Sequence, residues 1–167
     1  MTKVLSNYIF ADDGTIPNSL LPVIIYRKVC NTIDNAQWFE HCFQTNNWTN
    51  NWRDIVLPYD HFHSITHEVL GVSKGSVSLR IGGPKNGKIF EVSAGDVLIL
   101  PAGVGHFALS NHKNYEITGG YPEGKSWDMM TGTAEERKAA FRNIASLTIP
   151  TTDPVFGSNG GLIDLWK

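Results

Sequence analysis

The apolar and polar positions divide the chain into three textures. Residues 1 to about 52 mix an extended segment, LPVIIYRKV, with one helix. Asp34 is placed to cap that helix, and Trp38, Phe39, Cys42 and Phe43 recur at helical spacing through NAQWFEHCF. His41 falls off this stripe and reads as exposed. The NNWTNNW run that follows reads as an asparagine-rich loop pinned to the core by its tryptophans.

From residue 53 to about 122 the period is that of strands. In SVSLRI, Val77, Leu79 and Ile81 alternate with Ser76, Ser78 and Arg80, so Arg80 is expected on an exposed face. VSLRIGG and KIFEV flank PKNG, whose Asn86-Gly87 pair predicts a tight hairpin turn, with Gly82-Gly83 serving the same geometry. AGD at 94–96 predicts a turn, VLIL a strand running into Pro101, and NYEITGGY a further strand. Many short strands separated by glycine turns point to an all-β sandwich or small barrel.

Beyond residue 123 the period changes again. TAEERKAAFRNIASL opens with a Thr133-x-x-Glu136 capping box and sets Ala140, Phe141, Ile144 and Ala145 on one face, predicting an amphipathic helix on the outside of the barrel. The tail is punctuated by proline and glycine, and its LIDLW end is expected to add an edge strand, cover a partner subunit or fold onto its own barrel.

Composition narrows the class without choosing a function. A chain of 167 residues without repeats or linkers suits one domain, 1–167. A net charge of -2 offers no basic face for nucleic acid or an anionic membrane. LLPVIIY is too short to span a bilayer and is broken by Pro22, and MTKVLSNYIFADDG turns acidic before an apolar signal region forms, so the expected location is the cytoplasm. Cys30 and Cys42 are too few for a disulfide scaffold and are expected as reduced, buried thiols.

The chemistry is concentrated in two stretches. HFHSITHEVLG holds His61, His63, His67 and Glu68, and GDVLILPAGVGHF places His106 just beyond a strand and a Pro-Gly turn. Side chains two apart on a strand share a face, so His61 and His63 can approach one ion, with His106 arriving from another strand. Imidazoles with a carboxylate suit Zn, Fe, Mn, Ni or Cu, and ligand type does not choose among them. Tyr59 and Trp52 lie just upstream and are expected as packing near the mouth; His112, in SNHKN, reads as a loop residue.

These stretches resemble the two motifs of the cupin superfamily. The first is matched by His61, His63, Glu68 and Gly75, and the second by Gly95, Pro101, Gly103 and His106. Ser110 stands where the second motif often carries asparagine, and no role is carried over there. More narrowly, DDGTIPNSLLPVIIYR, NNWRDIVLPYDHFHSITHEVLGV, AGDVLILPAGVGH, GGYPEGKSWDM and DPVFGSNGGLIDLW are similar to the small bacterial YjlB-like cupins, a group without an established reaction. The resemblance implies a double-stranded β-helix (jelly-roll) barrel with its core at about 53–122. The N-terminal segment 1–52 and the C-terminal helix and tail 123–167 would place one or two peripheral helices at each end. It further implies a homodimer and a divalent metal held by His61, His63, Glu68 and His106.

One position stays open. An unbroken strand from 61 would put His67, not Glu68, on the face of His61 and His63. A bend or bulge at Ser64-Ile65-Thr66, where cupin chains turn, would reverse that parity and bring in Glu68, on one face with Leu70 and Val72. The expected function is a metal-dependent enzyme of oxygenase, decarboxylase or isomerase type acting on a small organic molecule. The alternative is a non-catalytic module that binds a small ligand or metal.

Overall fold

The computed structural model describes residues 4–110 and 112–167. Nine strands are present among them: β1 (Val4–Phe10), β2 (Ser19–Arg27), β3 (Trp48–Asp54), β4 (Glu68–Lys74), β5 (Ser76–Ile81), β6 (Lys88–Ser93), β7 (Val97–Leu100), β8 (His106–Ala108) and β9 (Glu116–Pro122). They pair antiparallel into a six-stranded sheet, ordered β1-β2-β7-β4-β9-β3, and a three-stranded sheet, ordered β6-β5-β8. The molecule is therefore mostly β, as expected. The large sheet reaches outside residues 53–122, taking β1, β2 and most of β3 from the N-terminal segment.

The alternation of side chains explains why several strands read as continuous apolar runs. The large sheet is covered on both sides. Val23, Ile25, Leu70, Val72, Leu98 and Leu100 face the small sheet, where they share a core with Val77, Leu79, Ile81 and Phe90. Their neighbours Ile24, Tyr26, Val69, Val97 and Ile99 point the other way, into a second core. That core is closed by helix α1 (Asn35–Thr45), through Phe39 and Phe43, and by the C-terminal segment, through Leu162 and Trp166. Asp34 caps α1 by accepting from the Gln37 N–H at 3.0 Å. Gly71 is needed under it, because a β-carbon there would lie 2.8 Å from the Phe39 ring.

Three local elements differ from expectation, and a fourth takes one of its expected placements. NNWTNNW is not a loop: it forms most of edge strand β3, paired with β9. Asparagine is a poor strand former, but Asn47 and Asn50 take left-handed conformations (φ 61° and 55°), and the pairing shifts between Thr49 and Trp52. That irregularity sends Trp48 into the helix-covered core and Trp52 toward the inner one. The β5–β6 hairpin exists, but its loop is a helical turn, α2 (Gly83–Asn86), and the positive φ falls at Gly82 and Gly83 rather than at an Asn-Gly pair.

Helix α3 (Ala134–Ser146) has the predicted capping box, yet only Ala140 of its apolar face is buried. Phe141 is exposed and lies against Arg137, and Ala145 is exposed as well. LIDLW is not an edge strand but folds back onto its own sheet, one of the placements expected for it. It forms α4 (Gly161–Leu165), whose following Trp166 is buried and donates to the Pro22 carbonyl at 2.8 Å. A buried Asp153–Tyr26 contact of 2.5 Å and a 2.7 Å bond from the Gly161 N–H to Tyr26 Oη fasten this segment to β2.

Both cysteines are free thiols. None of the described helices is long and apolar enough to cross a membrane.

Candidate metal centre

The site begins with backbone pairing. His61 and His106 exchange both main-chain hydrogen bonds, at 3.3 and 2.9 Å, so their side chains leave the bridge on one face and the rings stand 4.0 Å apart. His63, two residues on, brings its ring to 5.4 Å from that of His106. One nitrogen from each of the three lies within 4.8 Å of the others, and all three residues are buried.

In each ring Nδ1 is turned to a main-chain carbonyl, which leaves Nε2 free. His61 Nδ1 bonds the Tyr59 carbonyl at 2.8 Å, His106 Nδ1 bonds the Val104 carbonyl at 3.2 Å, and His63 Nδ1 bonds the Asp128 carbonyl. A carbonyl only accepts, so each Nδ1 carries the hydrogen and each Nε2 is left as a lone pair when the ring is neutral. Burial, followed by the neighbouring His106, depresses the His61 pKa to about 3, so that ring is neutral over the ordinary pH range.

The chain then bends. Ser64 and Ile65 leave the extended path, and β4 starts at Glu68. The Asp128 carboxylate holds the bend, accepting from the Ser64 N–H at 2.6 Å, the Ser64 hydroxyl at 2.5 Å and the Ile65 N–H at 3.3 Å. Asn143 of α3 adds a 2.8 Å bond to Ser64 Oγ. Past the bend the parity is reversed. Glu68 faces inward, with Oε2 at 3.4 Å from His63 Nε2 and 3.3 Å from His106 Nε2. His67 points into the other core, where its Nδ1 accepts from the Ala102 N–H at 2.9 Å and its ring lies 4.8 Å from that of Trp166. Burial, with a smaller contribution from Lys125, lowers the His67 pKa to about 4.

Glu68 is fully buried. Burial favours its neutral form, but His63 and His106 outweigh it and hold the carboxyl well below the usual carboxylate range. For His63, burial opposes the charged form, and Glu68 overrides it and raises the pKa. Even so, Glu68 Oε2 has no partner of hydrogen-bond geometry among the described residues. An ionised buried oxygen that the neighbouring imidazoles approach only to 3.3–3.4 Å is poorly satisfied, and a cation among the Nε2 atoms and the carboxylate would satisfy it. The donor set therefore fits a divalent metal ion, and the main-chain carbonyls behind the three histidines are the supports such ligands ordinarily have.

The histidines and Glu68 lie at the floor of a cavity of about 330 Å³, whose wall includes Trp52, Leu57, Leu70, Tyr121, Trp127 and Met129. Tyr121 accepts from Trp52 Nε1 at 2.9 Å and lines the cavity with Glu68. Burial raises the phenol's pKa, with Glu68 adding to the effect, so Tyr121 keeps its proton. Trp52 thus lines the cavity, whereas Tyr59 is exposed and contributes its carbonyl to His61. Arg80 is paired with Asp60 at 2.5 Å and stacked on Phe107. His41 and His112 are exposed, away from the site. Tyr121, Trp127 and Asp128 are additions of the structure. The first two sit in the GGY and GKSWDM stretches with no ligand-like spacing, and a lone aspartate in a loop gives no local signal.

Comparison with known proteins agrees with this architecture. Residues 56–120 match the Cupin family model. The chain is 35% identical, over 99% of both sequences, to a protein of Bacillus subtilis (strain 168) described as "Uncharacterized protein YjlB". Among solved structures it is similar to oxalate decarboxylase from Bacillus subtilis, at 16% identity and a TM-score of 0.41, covering 80% of this chain and 36% of that one. It is also similar to QdtA, a sugar 3,4-ketoisomerase from Thermoanaerobacterium thermosaccharolyticum, at 16% identity and a TM-score of 0.40, covering 57% of this chain and 74% of that one. The chain spans only about a third of the oxalate decarboxylase it matches. With its full-length relationship to YjlB and the cupin motifs in place on the fold, the chain belongs to the cupin superfamily, in the YjlB family.

Proposed function

We propose that the protein is a metal-dependent enzyme of oxygenase, decarboxylase or isomerase type that acts on a small organic molecule. His61, His63 and His106 would hold a divalent metal through Nε2, and Glu68 through its carboxylate. The observation that carries this reading is the unsatisfied Glu68 Oε2, buried at 3.3–3.4 Å from two imidazole nitrogens. Bound there, such an ion supplies a Lewis acid or an oxygen-binding centre.

The chain's own groups have separate tasks. The main-chain carbonyls of Tyr59, Val104 and Asp128 fix each imidazole tautomer. Glu68 contributes the charge that a fourth imidazole would not. Tyr121 holds a proton at Oη, oriented by Trp52, beside the carboxylate.

The test is metal analysis of protein purified without chelator. Wild type should carry about one divalent ion per chain, and a His61→Ala, His106→Ala double variant should carry almost none. Equally low content in both would overturn the proposal. Oxygen-uptake and substrate screens on the loaded protein then address catalysis; a retained ion with no turnover would favour a binding module.

A further inference from the structure

The walls of the cavity say what kind of molecule the site takes. Arg53 is the only cationic residue lining the cavity among the described residues, and it is committed to Glu40 by two bonds of 2.7 Å. Asp54, also on the wall, adds a negative charge. The Asn51 amide nitrogen is spent on the Trp48 and Gly119 carbonyls, both at 3.1 Å, and its oxygen accepts from Gln44 at 3.2 Å. The Tyr121 hydroxyl is engaged by Trp52. Asn50 donates its amide nitrogen to the Lys125 carbonyl at 3.4 Å, and apart from its amide oxygen what remains facing the space is mainly apolar: Ile55, Val56, Leu57, Leu70, Trp127 and Met129.

We infer that the site takes a neutral or singly anionic molecule with one metal-chelating end and an apolar, ring-sized body. The inference rests on the metal reading above. A divalent ion beside the Glu68 carboxylate keeps a single net positive charge, which one anionic group neutralises. The second charge of a small dicarboxylate would lie against the aliphatic and aromatic wall without a partner, and burying an unpaired charge is strongly unfavourable. Size points the same way. A volume of about 330 Å³ is near the lower end for ligand pockets, roughly eleven water volumes at ~30 Å³ each, which admits one ring with substituents.

Cobalt(II)-loaded full-length protein provides the test, because chelators bound at the ion shift its visible absorption bands. Benzohydroxamate, acetohydroxamate and oxalate are titrated separately into wild type and into Leu57→Lys, which places a cation on the half-buried apolar wall. Wild type should bind benzohydroxamate at least tenfold more tightly than either other probe. Leu57→Lys should weaken benzohydroxamate and strengthen oxalate. A smaller preference in wild type, or unchanged affinities in the variant, would overturn the inference while leaving the metal site standing. Absence of the cobalt bands themselves would overturn the metal reading, and the inference with it.

Discussion

Replacing Asp128 with alanine should destabilise the fold and the candidate metal centre together. The carboxylate accepts from three donors on the 64–65 bend. The Ile65 N–H, at 3.3 Å on an exposed residue, can turn to water at little cost. Ser64 cannot, since it is fully buried. Its N–H and its hydroxyl proton would each lose an acceptor, and an unsatisfied buried donor costs about 1–3 kcal/mol. Asn143 still donates to Ser64 Oγ, which leaves the hydroxyl proton without a partner. Allowing for partial relaxation, the loss should be about 2–4 kcal/mol, which in a chain of this length lowers Tm by roughly 5–15 °C.

Asp128→Asn keeps an acceptor for the Ser64 N–H and should cost about half as much. Urea unfolding followed by tryptophan fluorescence measures both variants. Because the bend decides which side chain of the 67–68 pair faces inward, metal affinity of Asp128→Ala should also fall about 10- to 100-fold, as it does when supports of metal ligands are removed. A stability change within about 0.5 kcal/mol, the range of an ordinary surface substitution, would refute this account of the bend.

Two further outcomes follow from the same geometry. Glu68→Gln should fold but retain far less metal, whereas His67→Leu should retain metal and lose about 1–3 kcal/mol of stability, because the buried Ala102 N–H loses its acceptor; metal analysis and urea unfolding of the pair separate the two roles. Burial pushes the Cys30 and Cys42 thiols up to about 11 from 9.0, so the native thiolate is disfavoured relative to the unfolded one. The contribution to stability is full below pH 9 and is lost between pH 9 and about 11. At pH 8 both thiols should react with a disulfide reagent only slowly in the native protein and rapidly after unfolding.

The sequence makes the buried architecture legible where one physical rule dominates. Val77, Leu79 and Ile81 alternate because β5 has one face on the core, and the Thr133–Glu136 box marks the start of α3 because its donors need acceptors. It is less informative where tertiary packing overrides local preference. Asn50 and Asn51 look like loop residues, yet the edge of β9 and the burial of Trp48 draw them into a strand irregularity. Phe141 looks like a core residue, but α3 settles on Ala140, and the phenylalanine packs on Arg137 at the surface. The Asn86-Gly87 pair is overruled by Gly82 and Gly83, whose left-handed conformations start a one-turn helix first.

The choice between His67 and Glu68 has a different physical basis. Strand parity is a local rule, and over residues 61–68 it can be applied only if the path between them is known. The group that sets this path is Asp128, 64 residues from Ser64 in sequence. It bends the chain with its carboxylate and, through its own carbonyl, fixes the tautomer of His63. One loop residue thus supports the histidine that precedes the bend and decides the face of the glutamate that follows it. A window around HFHSITHEVLG can hold both candidate ligands and still lack the interaction that selects between them. The spacing from the Gly75 turn does carry part of that information, because Glu68, Leu70 and Val72 must share a face once β4 is continuous, and Leu70 and Val72 belong to the inner core.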